Sequence, residues 1–182
     1  VLLGLGFKAK VSSSIPDNPI ELKNQIVNSA LGRLTSKDPF HVLSEVGDPM
    51  IAFVSGMLSS SSEITKVMLA GGTQMAAVLA FASKIGFNEQ NTAIGTTSYI
   101  SDDNTANFKS LIAEIADIPG ISVNPGLVNS KFSGLKAFSQ GFVKEGAGAG
   151  GSIIASMIKT GNDSNRFVTL AEKEYHRLFT SL

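Results

Sequence analysis

The stretch Lys66-Val67-Met68-Leu69-Ala70-Gly71-Gly72-Thr73-Gln74 decides the fold. Five residues that suit a buried strand run into two glycines and a threonine, and an apolar helical pattern over residues 74–85 follows at once. A strand that turns through so few residues into a helix is one βα unit. The same grammar recurs downstream. Residues 91–99 read as a second strand that ends in Gly95-Thr96-Thr97-Ser98, residues 104–115 as an amphipathic helix, and residues 121–124 as a third strand. Strands alternating with helices predict a three-layer α/β/α architecture, doubly wound around a mostly parallel sheet.

Upstream of this core, residues 1–6 read as the end of a helix stopped by Gly6, and residues 7–12 as a short strand. Residues 12–19, Ser-Ser-Ser-Ile-Pro-Asp-Asn-Pro, form a loop that leads into a helix. There Leu22, Ile26, Val27, Ala30 and Leu31 recur at helical spacing. Asp38-Pro39 opens another helix. Gly47-Asp48-Pro49 interrupts it, residues 50–58 continue as helix, and Ser59–Ser62 reads as a turn. Downstream, residues 152–158 read as an apolar helix and residues 167–178 as a final one. No repeat or linker divides the chain, so residues 1–182 are expected to form one domain, with 164–182 as a terminal helix. The apolar start without a Met suggests that an N-terminal half of the sheet precedes Val1.

Composition narrows the functional classes. The chain is 43% hydrophobic and 16% charged with zero net charge, which describes a folded, rather apolar domain. Zero net charge gives no bulk attraction for nucleic acid or an anionic membrane. No apolar run reaches the roughly 18 residues a membrane helix needs. There is no cysteine, and the histidines are His41 and His176, so thiolate and multi-histidine metal sites are not expected. A cytoplasmic protein without a metal is the expectation, and a homodimer is compatible with it.

Chemistry concentrates in turns. Gly71, Gly72 and Thr73 lie at a strand end and a helix start. There, bare backbone N–H groups and a hydroxyl suit a phosphate; a plain turn with Thr73 as N-cap is the alternative. Thr96, at the next strand end, can bind an anion or serve a helix cap. The run Lys144-Glu145-Gly146-Ala147-Gly148-Ala149-Gly150-Gly151 contains a Gly-x-Gly-x-x-Gly pattern. It lies far from any first βα unit and follows a weak strand, which argues against a dinucleotide site. Two readings remain: a helix packed tightly through small residues, or a turn built on Gly146 and Gly148 that holds the Glu145 carboxylate in a cleft. Enclosure in an apolar turn raises a carboxylate's pKa toward neutrality, which suits a general base. Lys23, on the polar face of a helix, reads as a solvated charge. His41 reads as a structural histidine and His176 as a surface one.

In order and spacing these motifs resemble the nicotinate-nucleotide:dimethylbenzimidazole phosphoribosyltransferase family, in an archaeal branch, over residues 1–158. Residues 11–16, Val-Ser-Ser-Ser-Ile-Pro, are similar to the family's Gly-rich loop, and the helix after it places the family's phosphate-contacting lysine at Lys23. The segments 46–52, 69–77 and 95–98 resemble further family stretches, and 144–149 resembles the Gly-Glu-Gly-Ser-Gly-Ala that carries the family's glutamate. The resemblance implies transfer of the phosphoribosyl group of nicotinate mononucleotide to a dimethylbenzimidazole-like base, with release of nicotinate, in cobalamin lower-ligand synthesis. Glu145 would be the base. Ser12, Ser13, Lys23, Gly71, Gly72, Thr73 and Thr96 would hold phosphate and ribose, and no cofactor is implied. The sequence departs from the pattern at Ala70, where bacterial members carry Asp, and at Ser12–Ser14. The family's Gly-x-Thr-Thr phosphate loop is not in these 182 residues, so this chain alone is expected to be inactive. Those departures leave a second reading open: a non-catalytic nucleotide- or phosphate-binding protein of the same fold.

Overall fold

In the computed structural model of the chain, the described residues are 1–11, 19–104, 107–139 and 147–179. Three strands, β1 (Val67–Ala70), β2 (Thr92–Thr97) and β3 (Gly120–Val123), form a parallel sheet in the order β1-β2-β3. Leu69 pairs with Ile94, Ala70 with Gly95, and Thr96 with Ser122. Among the described residues the helices are α1 (Ile20–Gly32), α2 (Pro39–Val46), α3 (Pro49–Ser62), α4 (Thr73–Ile85), α5 (Ser98–Ser101), α6 (Phe108–Ile115), α7 (Ser133–Ser139), α8 (Ala147–Thr160) and α9 (Ser164–Phe179). The predicted α/β/α layering is present.

The pleat sorts the two faces. Leu69 and Ile94 point into the main core with Val78, Leu79 and Phe81 of α4 and Leu111 and Ile112 of α6. Each aliphatic side chain so buried contributes roughly 1.5–3 kcal/mol. Their strand neighbours Ala70 and Gly95 face the opposite way, onto Gly151 of α8. A parallel sheet covered on both faces needs apolar or small residues throughout its central strand, and β2 supplies them: Thr92, Ile94, Gly95, Thr96 and Thr97 are all buried. Helix α3 backs α4, where Ser55 Oγ donates to Val78 O at 2.9 Å.

Asp38-Pro39 sets a helix start as expected, and Asp48-Pro49, read as an interruption, starts a helix as well. The Asp38 carboxylate accepts from His41 N at 2.9 Å and that of Asp48 from Met50 N at 2.7 Å, with a proline at the first helical position of each. His41 stands 3.1 Å from Thr35 Oγ1, a satisfied structural histidine.

Elsewhere the structure corrects the expectation. Residues 59–62 continue α3 instead of turning. Ser60 Oγ donates to Gly56 O and Ser62 Oγ to Ser59 O, and the Ser62 hydroxyl also accepts from Asn88 N. Serine hydroxyls with such partners stay in a helix that propensity alone would end. Residues 7–11 form no strand; Phe7 N turns back onto Leu2 O after Gly6, at φ +93°. Strand β2 stops at Thr97, and α6 starts at Phe108 behind Asn107, held at φ 41°. Leu22 and Ile26 of α1 are exposed, and α7 carries no earlier expectation. Among the described residues no helix is long and apolar enough to cross a membrane.

Candidate functional site

The carboxyl ends of β1 and β2 form one ledge. Gly71 N–H donates to Gly95 O at 3.0 Å, which ties the two predicted turns together. From this ledge the chain enters α4 directly. Gly72, not Thr73, is its N-cap, and no side chain closes the helix. Thr73 therefore occupies the first helical position with its hydroxyl free of a capping role. Met75 N and Ala76 N both reach Gly72 O. Among the described residues the amides of Thr73 and Gln74 have no acceptor, so they point the positive end of a 13-residue helix at open space.

That end opens on an apolar groove of about 370 Å³, walled by Leu2, Leu3, Val27, Leu31, Ile51 and Ala77. Helix α1 lines it through Ile26, Val27, Ala30 and Leu31. Lys23 is one turn before Val27 on the same face and, like it, half-buried. Lys10 lines the groove, and among the described residues no carboxylate does. Lys23 thus shares a face of α1 with the groove-lining Val27, although it does not itself line the groove. An apolar trough lined by one lysine and ending at bare helix amides accepts a planar ring bearing an anion.

At the end of β2 two buried hydroxyls stand without partners among the described residues: Thr96 Oγ1 and Thr97 Oγ1, each on a residue 1% exposed. Neither serves as a helix cap, although Thr97 is the N-cap residue of α5. The alternation of the strand sends them to opposite faces. Thr96 shares the α6 face with Ile94, so the structure does not bring its hydroxyl to the α8 side. Thr97 shares the α8 face with Gly95. Sequence reading chose Thr96; strand parity relative to Gly95 is the signal that finds Thr97.

Helix α8 seats on this ledge through glycine. A side chain on Gly150 would run into the backbone of Thr96 and Thr97, and one on Gly151 into Ala70. The close-packed-helix reading therefore holds for Gly150 and Gly151. Gly148 lies in the first turn of α8 instead of in a turn before it. Glu145, Gly146, Ser12 and Ser13 lie outside the described residues. Downstream, α9 is docked by Glu172, which accepts from Ser130 Oγ at 2.8 Å and Lys131 N at 2.6 Å. His176 of α9 stacks on Phe132.

A chain with this ledge and groove has close counterparts. No protein-family model matches it. A UPF0284 protein of Archaeoglobus fulgidus is 41% identical over 178 residues, which cover 98% of this chain and 50% of that protein. A UPF0284 protein of Sulfurisphaera tokodaii is 42% identical over 185 residues, covering 100% of this chain and 52% of that protein. Its homologues are UPF0284 proteins of archaea and cyanobacteria. The cyanobacterial example, from Picosynechococcus, is 38% identical over 95% of the chain. The relatives thus extend beyond the archaeal range that the sequence motifs suggested. The chain spans about half the length of the UPF0284 relatives it matches.

Proposed function

We propose that the protein binds nicotinate mononucleotide on the β1–α4 ledge and transfers its phosphoribosyl group to a dimethylbenzimidazole-like base, with Glu145 as the general base. The observation that carries the nucleotide half is the groove itself. Its apolar walls end at the uncapped amides of Thr73 and Gln74, Lys10 lines it, and Lys23 shares a face of α1 with its lining residue Val27. The phosphate sits on Gly72–Gln74 and near Lys23, and the pyridine ring lies along Val27 and Leu31. The acceptor's ring nitrogen loses its proton to the Glu145 carboxylate as its lone pair attacks the anomeric carbon, and nicotinate leaves with the bonding electrons. The transfer half rests on the motif order that ends in Glu145. It belongs to the full-length protein, in which the rest of the pocket would come from outside these 182 residues.

One observation favours a second reading. Ala70, half-buried against Gly151, carries only a methyl group, so position 70 offers no polar side chain to a ligand, and a nucleotide-binding protein without turnover would need none. Calorimetry of nicotinate mononucleotide with the full-length protein, paired with a chromatographic assay of nicotinate release in the presence of dimethylbenzimidazole, separates the two. Micromolar binding with release supports transfer. Binding without release leaves the binding protein, and absence of binding removes both.

A further inference from the structure

The outer edge of β1 is open and unguarded. Gly71 N–H donates to Gly95 O, and the register partner of Gly95 is Ala70. Alternate residues of a parallel strand turn their backbone groups to opposite neighbours. Leu69 and Gly71 therefore bond toward β2, while Met68 and Ala70 turn theirs away from it. Among the described residues no strand lies on that side. Native edges are blunted by charge, proline or a bulge. Val67-Met68-Leu69-Ala70 has no charge and no proline, and its register with β2 runs without an extra residue. Lys66, the charge just before it, is turned to β2 instead: its ammonium donates to Gln90 O at 3.0 Å and to Asn91 Oδ1 at 2.7 Å. The winding leaves the same edge free. From β1 the chain passes through α4 to β2 and through α6 to β3, each step away from β1, and α4 and α6 share one core on one face.

We infer that β1 is the strand at which a doubly wound sheet reverses, and that its free edge takes a parallel strand from the part of the full-length protein outside these 182 residues. The UPF0284 relatives match nearly all of this chain with about half of their own length, so they carry chain enough for further strands. A second copy fits the edge less well. Two-fold symmetry pairs like edges antiparallel, which sets the neighbour's carboxyl end far from Gly71. A parallel neighbour instead ends beside Gly71–Thr73. Helix α4 leaves β1 on one face. A neighbour whose own helix leaves on the α8 face parts from it, and the two turns bound a crevice over the ledge, the place where open α/β sheets bind ligands. The bare amides of Thr73 and Gln74 are one wall of that crevice, and the neighbour's exit turn is the other. The crevice's occupant rests on the nucleotide reading; the strand pairing does not.

Amide-resolved hydrogen exchange and cross-strand nuclear Overhauser contacts in the full-length protein test the pairing. Leu69 and Gly71, bonded toward β2, set the slow scale. Thr73 and Gln74, without acceptors among the described residues, set the fast one. The Met68 and Ala70 amides are expected to exchange within about tenfold of Leu69, as amides of one cooperative strand do. Their contacts are expected to fall on residues outside 1–182, in a parallel pattern, and to persist on dilution. Exchange of Met68 and Ala70 as fast as that of Thr73 overturns the inference. Contacts that are antiparallel, that fall within residues 1–182, or that vanish on dilution as a second copy's would, overturn it too. Nicotinate mononucleotide separates the two readings. It is expected to shift the amides of Thr73, Gln74 and the paired strand's exit turn together. A shift at Thr73 and Gln74 with none in that turn overturns the crevice. Silence at Thr73 and Gln74 removes the nucleotide reading, and the pairing contacts then decide the strand by themselves.

Discussion

A methyl group on Gly151 would stand 2.5 Å from Cβ of Ala70. Helix α8 reaches the sheet here because position 151 has no side chain to meet Ala70. Gly95, the register partner of Ala70, completes the contact, since its own Cβ would lie 2.8 Å from Gly151 Cα. The helix that follows Glu145 in the chain is fixed against the carboxyl ends of both strands by three small residues.

Gly150→Ala should consequently destabilise the protein by about 3 kcal/mol, the upper range for overpacking, because the added methyl meets the backbone of Thr96 and Thr97 and no rotamer change relieves it. A melting temperature lower by about 10 °C is expected. Gly56→Ala is the control. Gly56 lies inside α3 with nothing within 4 Å of its Cβ position. That substitution should stabilise by about 0.5–1 kcal/mol through helix propensity. Equal melting temperatures for Gly150→Ala and the parent would mean that α8 does not seat through this glycine.

The strand-turn-helix at Leu69–Thr73 is legible in sequence because local signals coincide there: an apolar run, two glycines and an apolar helix. So is the Asp38-Pro39 helix start, whose cap acts within three residues. What escapes is set by partners far along the chain. Ser59–Ser62 reads as a turn by propensity, yet the Ser62 hydroxyl accepts from Asn88, 26 residues away. The side chains of Thr96 and Thr97 are alike in sequence, and only the pairing of Ala70 with Gly95 shows which one faces α8. Lys23 reads as a solvated charge until α1 is placed beside α4. Glu145 remains legible through its motif alone.

Acid should loosen the docking of α9 through Glu172. The Lys131 amide and the Ser130 hydroxyl hold its carboxyl below its ordinary value of 4.5. A carboxyl with a depressed folded-state pKa stabilises fully above the unfolded value, and that contribution is lost as pH falls through the folded one. Urea midpoints measured from pH 6 down to pH 3 should fall more steeply in the parent than in Glu172→Gln, which has no proton to take up. Parallel curves for the two proteins would show that Glu172 contributes nothing to acid sensitivity.

Cap strength gives a simpler test of the fold. The Asp48 carboxylate holds Met50 N at 2.7 Å at the start of α3. Asp48→Ala should cost about 1 kcal/mol, and Asp48→Asn, which keeps an acceptor oxygen, a small fraction of that. Read by denaturant midpoint, an equal loss in both variants would point to the charge near the helix end instead of the hydrogen bond.

Binding and turnover should separate at Lys23 and Glu145. Lys23 shares a face of α1 with the groove-lining Val27, and its expected task is to hold phosphate in ground state and transition state alike. Lys23→Ala in the full-length protein should weaken nicotinate mononucleotide about tenfold, the scale of one charge-assisted contact, and leave kcat nearly unchanged. Glu145→Gln keeps size and polarity but cannot accept a proton. It should bind the nucleotide within about twofold of the parent and lower kcat by roughly 100-fold or more, the usual scale for a positioned base. The pairing makes the test specific. A Glu145→Gln protein with undiminished kcat removes the base assignment while leaving the groove intact. A Lys23→Ala protein with undiminished affinity removes Lys23 from the phosphate site and leaves that role to the Gly72–Gln74 amides and Lys10.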